Sequence, residues 1–276
     1  MRVLFLITAR FPLCFLHCCG WWMGWLIFLL SPSYRRHFLL QVRQAQVGWR
    51  QWLPAVGHSG KLVAELPRIW LGKPVPARWA NPEVVQQTLQ QGLGAVLLTP
   101  HCGSFEATAQ LYARDFGVVG NPLTVLFRPS RQAVLTDIVS QSRQRPGMRT
   151  APTSLAGVKQ LIKALRAGES VGILPDQVPP QGQGVWAPLF GRDAYTMTLA
   201  ARMAAQTGAP MLWLWGERLP WGRGFVVHAI PGPNLAGLDV QEACGVLNAS
   251  MEPVVRQAAS QYLWGYNRYK QPRDQA

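Results

Sequence analysis

Gly94-Ala-Val-Leu-Leu-Thr-Pro-His-Cys-Gly-Ser-Phe-Glu106 is the stretch that decides the fold class. Ala95 to Thr99 is an apolar run of the length of a buried strand, and Pro100 ends it. Ser104 then stands where an N-cap would open a helix carrying Phe105, Glu106, Ala109 and Leu111. A buried strand that turns at once into a helix is the repeating unit of an α/β sheet. His101 falls on the corner between the two. Side chains five positions apart within one helix diverge by about 140°, so His101 and Glu106 can meet only if the histidine lies on the bend before the first turn. Glu106 is then expected to hold one ring nitrogen and leave the other to take a proton, which is the base-and-orienter part of a triad without a protein nucleophile. The plainer alternative is a structural corner histidine and a glutamate that answers the helix dipole.

Working outward, the same alternation continues on both sides. Asn81-Pro82 opens a helix near Glu83 to Gln91, and a strand at Thr124 to Phe127 ends in Arg128-Pro129. A helix is expected from Gln132 to Arg143, and Ser154 caps another that stops near Gly168. The strand Val171 to Leu174 ends in Pro175-Asp-Gln177, and a Gly- and Pro-rich loop runs to Asp193. A helix from Tyr195 to Thr207, stopped by Gly208, precedes strands at Met211 to Trp215 and Phe225 to Ile230. The fold class expected is α/β, with a mostly parallel central sheet flanked by helices. Three strand ends carry polar groups, His101, Arg128 and Asp176, and ligands of open α/β sheets sit at the carboxyl ends of the strands.

The first thirty residues differ from the rest. Val3 to Leu30 is predominantly apolar, and Phe11 to Leu30 has about the 20 residues a helix needs to cross a bilayer. No small-x-small cleavage site follows it, so an uncleaved anchor over residues 1–34 is expected, spanning the membrane once or lying in its interface, with an α/β domain over residues 35–276. Arg35, Arg36, Arg43 and Arg50 outnumber Arg2 and Arg10, which places that domain on the cytoplasmic side.

Composition narrows the partners. Lys and Arg number 27 against 13 Asp and Glu, a net charge of +14, so partners are expected to be anionic. No helix-turn-helix, aromatic RNA platform or dense basic helix accompanies that charge, which argues against nucleic acid. Of twelve tryptophans, seven fall before residue 80, where amphipathic rings suit a membrane boundary. The five cysteines form no disulfide framework, and Cys14, His17, Cys18 and Cys19 lack the second ligand pair of a zinc site, so no metal is expected. Gly57-His-Ser-Gly-Lys61 resembles half a phosphate loop but lacks its first glycine and its Ser/Thr.

His101-x4-Glu106, Phe127-Arg-Pro129, Pro175-Asp-Gln177, Pro188-Leu-Phe-Gly191 and Tyr262-Leu-Trp-Gly-Tyr-Asn-Arg268 together resemble the lipid A biosynthesis acyltransferase family, the late lauroyl- and myristoyl-type enzymes. The resemblance implies transfer of a fatty acyl chain from an acyl carrier protein thioester to a hydroxyl of an anionic glucosamine lipid, at the bacterial inner membrane and without a cofactor. It makes His101 the general base, oriented by Glu106, and gives Arg128, Arg143 and Asp176 to the substrate site. The arginines would meet phosphate or the developing oxyanion, with backbone N–H groups near Gly103 as the other oxyanion donors, and Asp176 would orient an arginine. Cys102-Gly-Ser-Phe105 stands where the family more often has an aromatic-Gly-Asn-Trp filling, and Val178-Pro-Pro180 follows the Asp-Gln motif in place of a more polar run, so the acceptor stays open between the glucosamine lipid, a lysophospholipid and an aminolipid.

Overall fold

The computed structural model describes residues 2–127 and 145–273, so Arg128, Arg143 and the helix expected at 132–143 lie outside the described residues. Among the described residues the chain forms a mostly parallel seven-stranded sheet between helices. The strands are β1 (Ala77–Trp79), β2 (Ala95–Leu98), β3 (Leu123–Phe127), β4 (Met148–Pro152), β5 (Ser170–Ile173), β8 (Met211–Arg218) and β9 (Phe225–Pro231), in the spatial order β1-β9-β8-β2-β5-β3-β4. Strands β8, β2, β5, β3 and β4 run parallel to one another, whereas β9 turns back antiparallel on β8 and β1 follows it.

The central strands read as unbroken apolar runs because both of their faces are covered. In β2, Val96 and Leu98 face one core while Ala95 and Leu97 face the other. In β8, Trp213 and Trp215 share the side of Val96, and Leu212 and Leu214 the opposite one. Helices α6 (Pro82–Leu89) and α7 (Phe105–Tyr112) cover the Leu97 side, where Val85, Leu89 and Tyr112 are buried. On the other side lie α3 (Pro32–Gln44), α4 (Trp49–Ala64), α8 (Leu155–Arg166), α9 (Leu199–Thr207) and α10 (Val240–Gln257). Each fully buried large apolar side chain contributes about 1.5–3 kcal/mol.

Two expectations need correction. The Gly- and Pro-rich loop contains a hairpin, β6 (Gly184–Leu189) paired with β7 (Arg192–Met197), and the helix expected from Tyr195 starts at Leu199. Pro188 and Gly191 argued against a strand there. The hairpin is nevertheless held from outside, since Asn248 of α10 reaches Ala187 O and Thr196 Oγ1.

At the amino terminus, α1 (Arg2–Thr8) precedes α2 (Leu13–Leu30), which is long and apolar enough to cross a membrane and is about one third buried against the rest of the chain. It packs on α4 through glycines. A Cβ on Gly60 would lie 1.9 Å from Gly20 O, and one on Gly24 would lie 2.3 Å from Val56 O. Small residues let two helix backbones approach in this way. Leu4, Ile7, Phe15, Trp22, Leu26 and Leu30 remain exposed on α1 and α2. The short α5 (Leu66–Leu71) leads from α4 into β1.

Candidate active site

The strand ends meet as an open α/β sheet requires. β2 and β5 are parallel neighbours, with Leu98 opposite Ile173, so the turns that follow them emerge side by side. His101 stands on the first turn and Asp176 on the second. The Asp176 carboxylate holds His101 twice: Oδ1 lies 2.7 Å from Nδ1, and Oδ2 accepts the His101 backbone N–H at 2.9 Å. Burial works against that charge, but the His101 ring, its two hydrogen bonds and the Arg268 guanidinium outweigh it and hold the Asp176 carboxyl below the ordinary carboxylate range. An ionised carboxylate accepts from Nδ1–H, which leaves Nε2 with its lone pair exposed for proton transfer. The Gln177 amide nitrogen sits 3.1 Å from Nε2 and donates to that lone pair.

The orienting role expected of Glu106 is therefore corrected in one respect: the carboxylate on His101 Nδ1 belongs to Asp176. Arg128 and Arg143 lie outside the described residues, and Asp176, expected to orient one of them, holds His101. The reason is the corner itself. His101 lies before the helix and faces across to the β5 turn, whereas Glu106 points inward from the first turn of α7, is 3% exposed and carries a charge felt by Arg145. Ser104 caps α7 as the sequence predicts, its side chain accepting from Ala107 N–H.

The turn from His101 to Ser104 is fixed by its backbone. Gly103 has φ +60°, and a Cβ there would sit 1.9 Å from Gly216 O, so only glycine fits. Its N–H donates to Gln261 O at 2.9 Å, Ser104 N–H donates to Gly216 O at 2.8 Å, and Cys102 N–H turns to Pro100 O. The Cys102, Gly103 and Ser104 N–H groups are thus taken up within the fold, and the next backbone donors are those of Phe105 and Glu106 at the start of α7. The Cys102 thiol is fully buried, and desolvation together with the Asp176 charge pushes its pKa well up, so it is no nucleophile.

Beside the pair lies an apolar cavity between α7 and the sheet. Phe105, whose ring meets His101 edge-on at 5.2 Å, and Glu106 line its helix side, and Leu97, Val125, Gly172 and Leu214 line its sheet side. Gly172 matters because it leaves the sheet floor without a side chain.

Beneath the turn is a buried ionic cluster that the sequence reading missed. Arg218, at the end of β8, forms two bonds to Glu65, Nε to Oε2 at 2.7 Å and Nη2 to Oε1 at 2.8 Å, and donates from Nη2 to Gly103 O at 2.7 Å. His17 Nε2, on the apolar α2, completes the cluster 2.9 Å from Glu65 Oε2. A histidine inside an otherwise hydrocarbon-like helix was the available signal. His58 stands edge-on to Trp21; burial, then the charges of Arg218, Lys61 and His17, push its pKa down to about 2. His228 stacks on Trp215 and bonds Glu217. Among the described residues no group of His, Cys, Asp and Glu could hold a metal ion.

A His–Asp pair at the carboxyl ends of parallel strands, set beside an apolar cavity, is an arrangement that can take a proton next to an apolar group. Comparison with known proteins gives the family. Residues 61–271 match the model of the bacterial lipid A biosynthesis acyltransferases, and the chain belongs to that family. It is 28% identical to the lipid A biosynthesis lauroyltransferase of Escherichia coli (strain K12) over 199 residues, 70% of this chain and 63% of the relative. It is also 24% identical to the lipid A biosynthesis acyltransferase of Haemophilus influenzae over 182 residues, 66% of this chain and 55% of that protein. The lipid A biosynthesis palmitoleoyltransferase of Escherichia coli (strain K12) is 24% identical over 187 residues, 67% of this chain and 59% of the relative. The chain thus spans between half and two thirds of the length of these relatives.

Proposed function

We propose that this protein transfers a fatty acyl chain from an acyl carrier protein thioester to a hydroxyl of a lipid A precursor, with His101 as general base. The observation that carries the reading is the Asp176–His101–Gln177 arrangement beside an apolar cavity. The acceptor hydroxyl replaces the Gln177 amide at Nε2 and gives up its proton there as its oxygen attacks the thioester carbonyl. The tetrahedral intermediate then collapses, the C–S bond breaks, and the imidazolium returns the proton to the leaving sulfur. No covalent acyl-enzyme is needed. Nε2 is the nitrogen free to act because Asp176 keeps the proton on Nδ1.

The cavity of about 50 Å³ between α7 and β2, β3 and β5, with Gly172 in its lining, receives part of the acyl chain. The oxyanion is met by a side chain. Arg128 follows directly on β3, the neighbour of β5, and Arg143 is the second arginine assigned to substrate phosphate. Glu106, at the cavity wall next to Phe105, acts in this reading through a nearby guanidinium rather than through Nδ1. The exposed apolar face of α1 and α2 enters the bacterial inner membrane, and the basic surface recruits the acidic carrier on its cytoplasmic side.

The test is acyl transfer by the detergent-solubilised protein and its His101→Ala variant, offered carrier-protein and coenzyme A thioesters with a lipid A precursor or a lysophospholipid. Product on the glucosamine lipid that falls by about 10²- to 10⁴-fold in the variant is expected. Product on the lysophospholipid alone would move the acceptor, and an undiminished variant would remove His101 from the chemistry.

A further inference from the structure

The motif Tyr262-Leu-Trp-Gly-Tyr-Asn-Arg268 carries no group that the proposed chemistry uses, yet it lies against both turns of the site. Leu263 N–H donates to His101 O at 3.0 Å, and Gly103 N–H donates to Gln261 O at 2.9 Å, so Cys102 and Tyr262 form an isolated antiparallel bridge. The segment reaches the second turn with side chains. The Tyr266 hydroxyl accepts Val178 N–H at 2.9 Å, two residues beyond Asp176, and Tyr262 lies buried beside Asp176, where burial and then the carboxylate's charge push its phenol pKa up.

The segment is in turn held rigidly from behind. Gln41 of α3 donates to Trp264 O at 2.6 Å and Tyr266 O at 2.5 Å, and its Oε1 accepts Arg268 N–H at 3.2 Å. Arg268 is 1% exposed and donates to Tyr195 O and Thr196 Oγ1 of β7. Gln261 Oε1 accepts Arg218 N–H, and its Nε2 donates to Arg218 O, which ties the same segment to the end of β8. A strand end followed by a turn has little rigidity of its own. A separate segment bonded to two such turns fixes their separation, and with it the Nδ1 to Oδ1 contact on which the tautomer of His101 depends.

We propose that residues 261–268 are a clamp that sets the His101–Asp176 geometry, and that Tyr262 and Tyr266 are positioning residues acting through Asp176 and its turn. Neither touches substrate. The proposal rests on His101 being the working base. Loss of the Tyr262 hydroxyl changes the packing beside Asp176 at the point where the segment pairs with Cys102. Loss of the Tyr266 hydroxyl leaves Val178 N–H unanswered and loosens the turn.

The experiment uses the full chain and compares Tyr262→Phe, Tyr266→Phe and Met203→Ala. Met203 is a buried core residue of α9 outside the site, so its variant reports loss of stability alone. Two readouts are taken. The first is the pH profile of kcat/KM for acyl transfer. The second, which needs no substrate, is the downfield proton resonance of the His101 Nδ1–H···Asp176 bond, identified by its disappearance in His101→Gln. Each tyrosine variant is expected to lose about tenfold in kcat with KM for the acyl donor little changed, as for a contact of about 1–1.5 kcal/mol lost from the support of the pair. Both tyrosine variants displace the resonance, whereas Met203→Ala lowers the melting temperature and leaves pH profile and resonance in place. A resonance unmoved in both tyrosine variants, or moved equally in Met203→Ala, overturns the clamp. If the wild type transfers no acyl group, the proposed function fails while the resonance still decides the clamp.

Discussion

Asp176→Asn tests the site at its most exposed assumption, that one carboxylate sets the tautomer of the base. Asp176 offers two acceptor oxygens to two donors, the His101 backbone N–H at 2.9 Å and Nδ1–H at 2.7 Å. Asparagine offers one. The backbone N–H cannot change sign, so the amide oxygen stays with it and the NH2 group faces Nδ1. Nδ1 must then accept, and the ring proton moves to Nε2, where the acceptor hydroxyl needs a lone pair. The opposite orientation sets two donors against each other at a side chain 2% exposed, at a cost of about 1–3 kcal/mol for the unsatisfied group. Tautomer reversal of this kind costs about 10⁴-fold in the serine protease triad, so a loss of about 10³- to 10⁴-fold in kcat/KM is expected here, with the fold retained. Acyl transfer under single-turnover conditions measures it, alongside Glu106→Gln. Activity within about threefold of wild type would refute the argument, and a larger loss in Glu106→Gln than in Asp176→Asn would return the orienting role to Glu106.

Two further perturbations address the support of the site and its substrate. Arg218→Met strips the guanidinium from a fully buried Glu65 and should cost about 3–5 kcal/mol in denaturant unfolding. Burial alone would raise the Glu65 pKa, but Arg218 and His17 outweigh it and hold the group below its ordinary value of 4.5. The stability this pairing contributes is therefore complete above about pH 4.5 and is lost as pH falls through the depressed folded value, so the gap between wild type and variant narrows on acidification; a gap constant with pH would count against the pairing. Gly172→Val adds a side chain whose Cβ would lie 2.9 Å from Val125 Cγ1 on the cavity floor, and should shift the product toward shorter acyl chains in mass spectrometry of a mixed-donor reaction. An unchanged chain-length profile would place the acyl chain elsewhere.

The sheet was legible because its central strands are buried on both faces. That gives Ala95 to Leu98 and Met211 to Trp215 their unbroken apolar character and leaves Pro100 and Gly208 as clear punctuation. The β6–β7 hairpin was not legible, because it is stabilised by α10 and by Arg268 rather than by its own Pro- and Gly-containing sequence. His101 and Asp176 could both be picked out as polar groups at strand ends. Their pairing could not, since spacing favours the nearer carboxylate, Glu106, while register brings together residues 75 positions apart. Gln41, Glu65, Arg218, Tyr262 and Tyr266 were invisible as a group for the same reason: each meets partners that only the completed fold brings near.

The division into an anchor at residues 1–34 and a domain at 35–276 is best taken as topological. A membrane helix that merely tethers a catalytic domain needs no specific contact with it. Here α2 meets α4 across Gly20, Gly24 and Gly60 at distances that admit no side chain, and it sends His17 into a cluster whose other end is the carbonyl of Gly103. Without α2, Gly60 would open to solvent and the buried Glu65 would lose one of the two side chains that lower its pKa. Gly103 shares its turn with His101, so the position of the apolar helix and that of the base are linked through three side chains: His17, Glu65 and Arg218. Under the proposed function, that linkage sets the height of His101 above the bilayer as part of the fold.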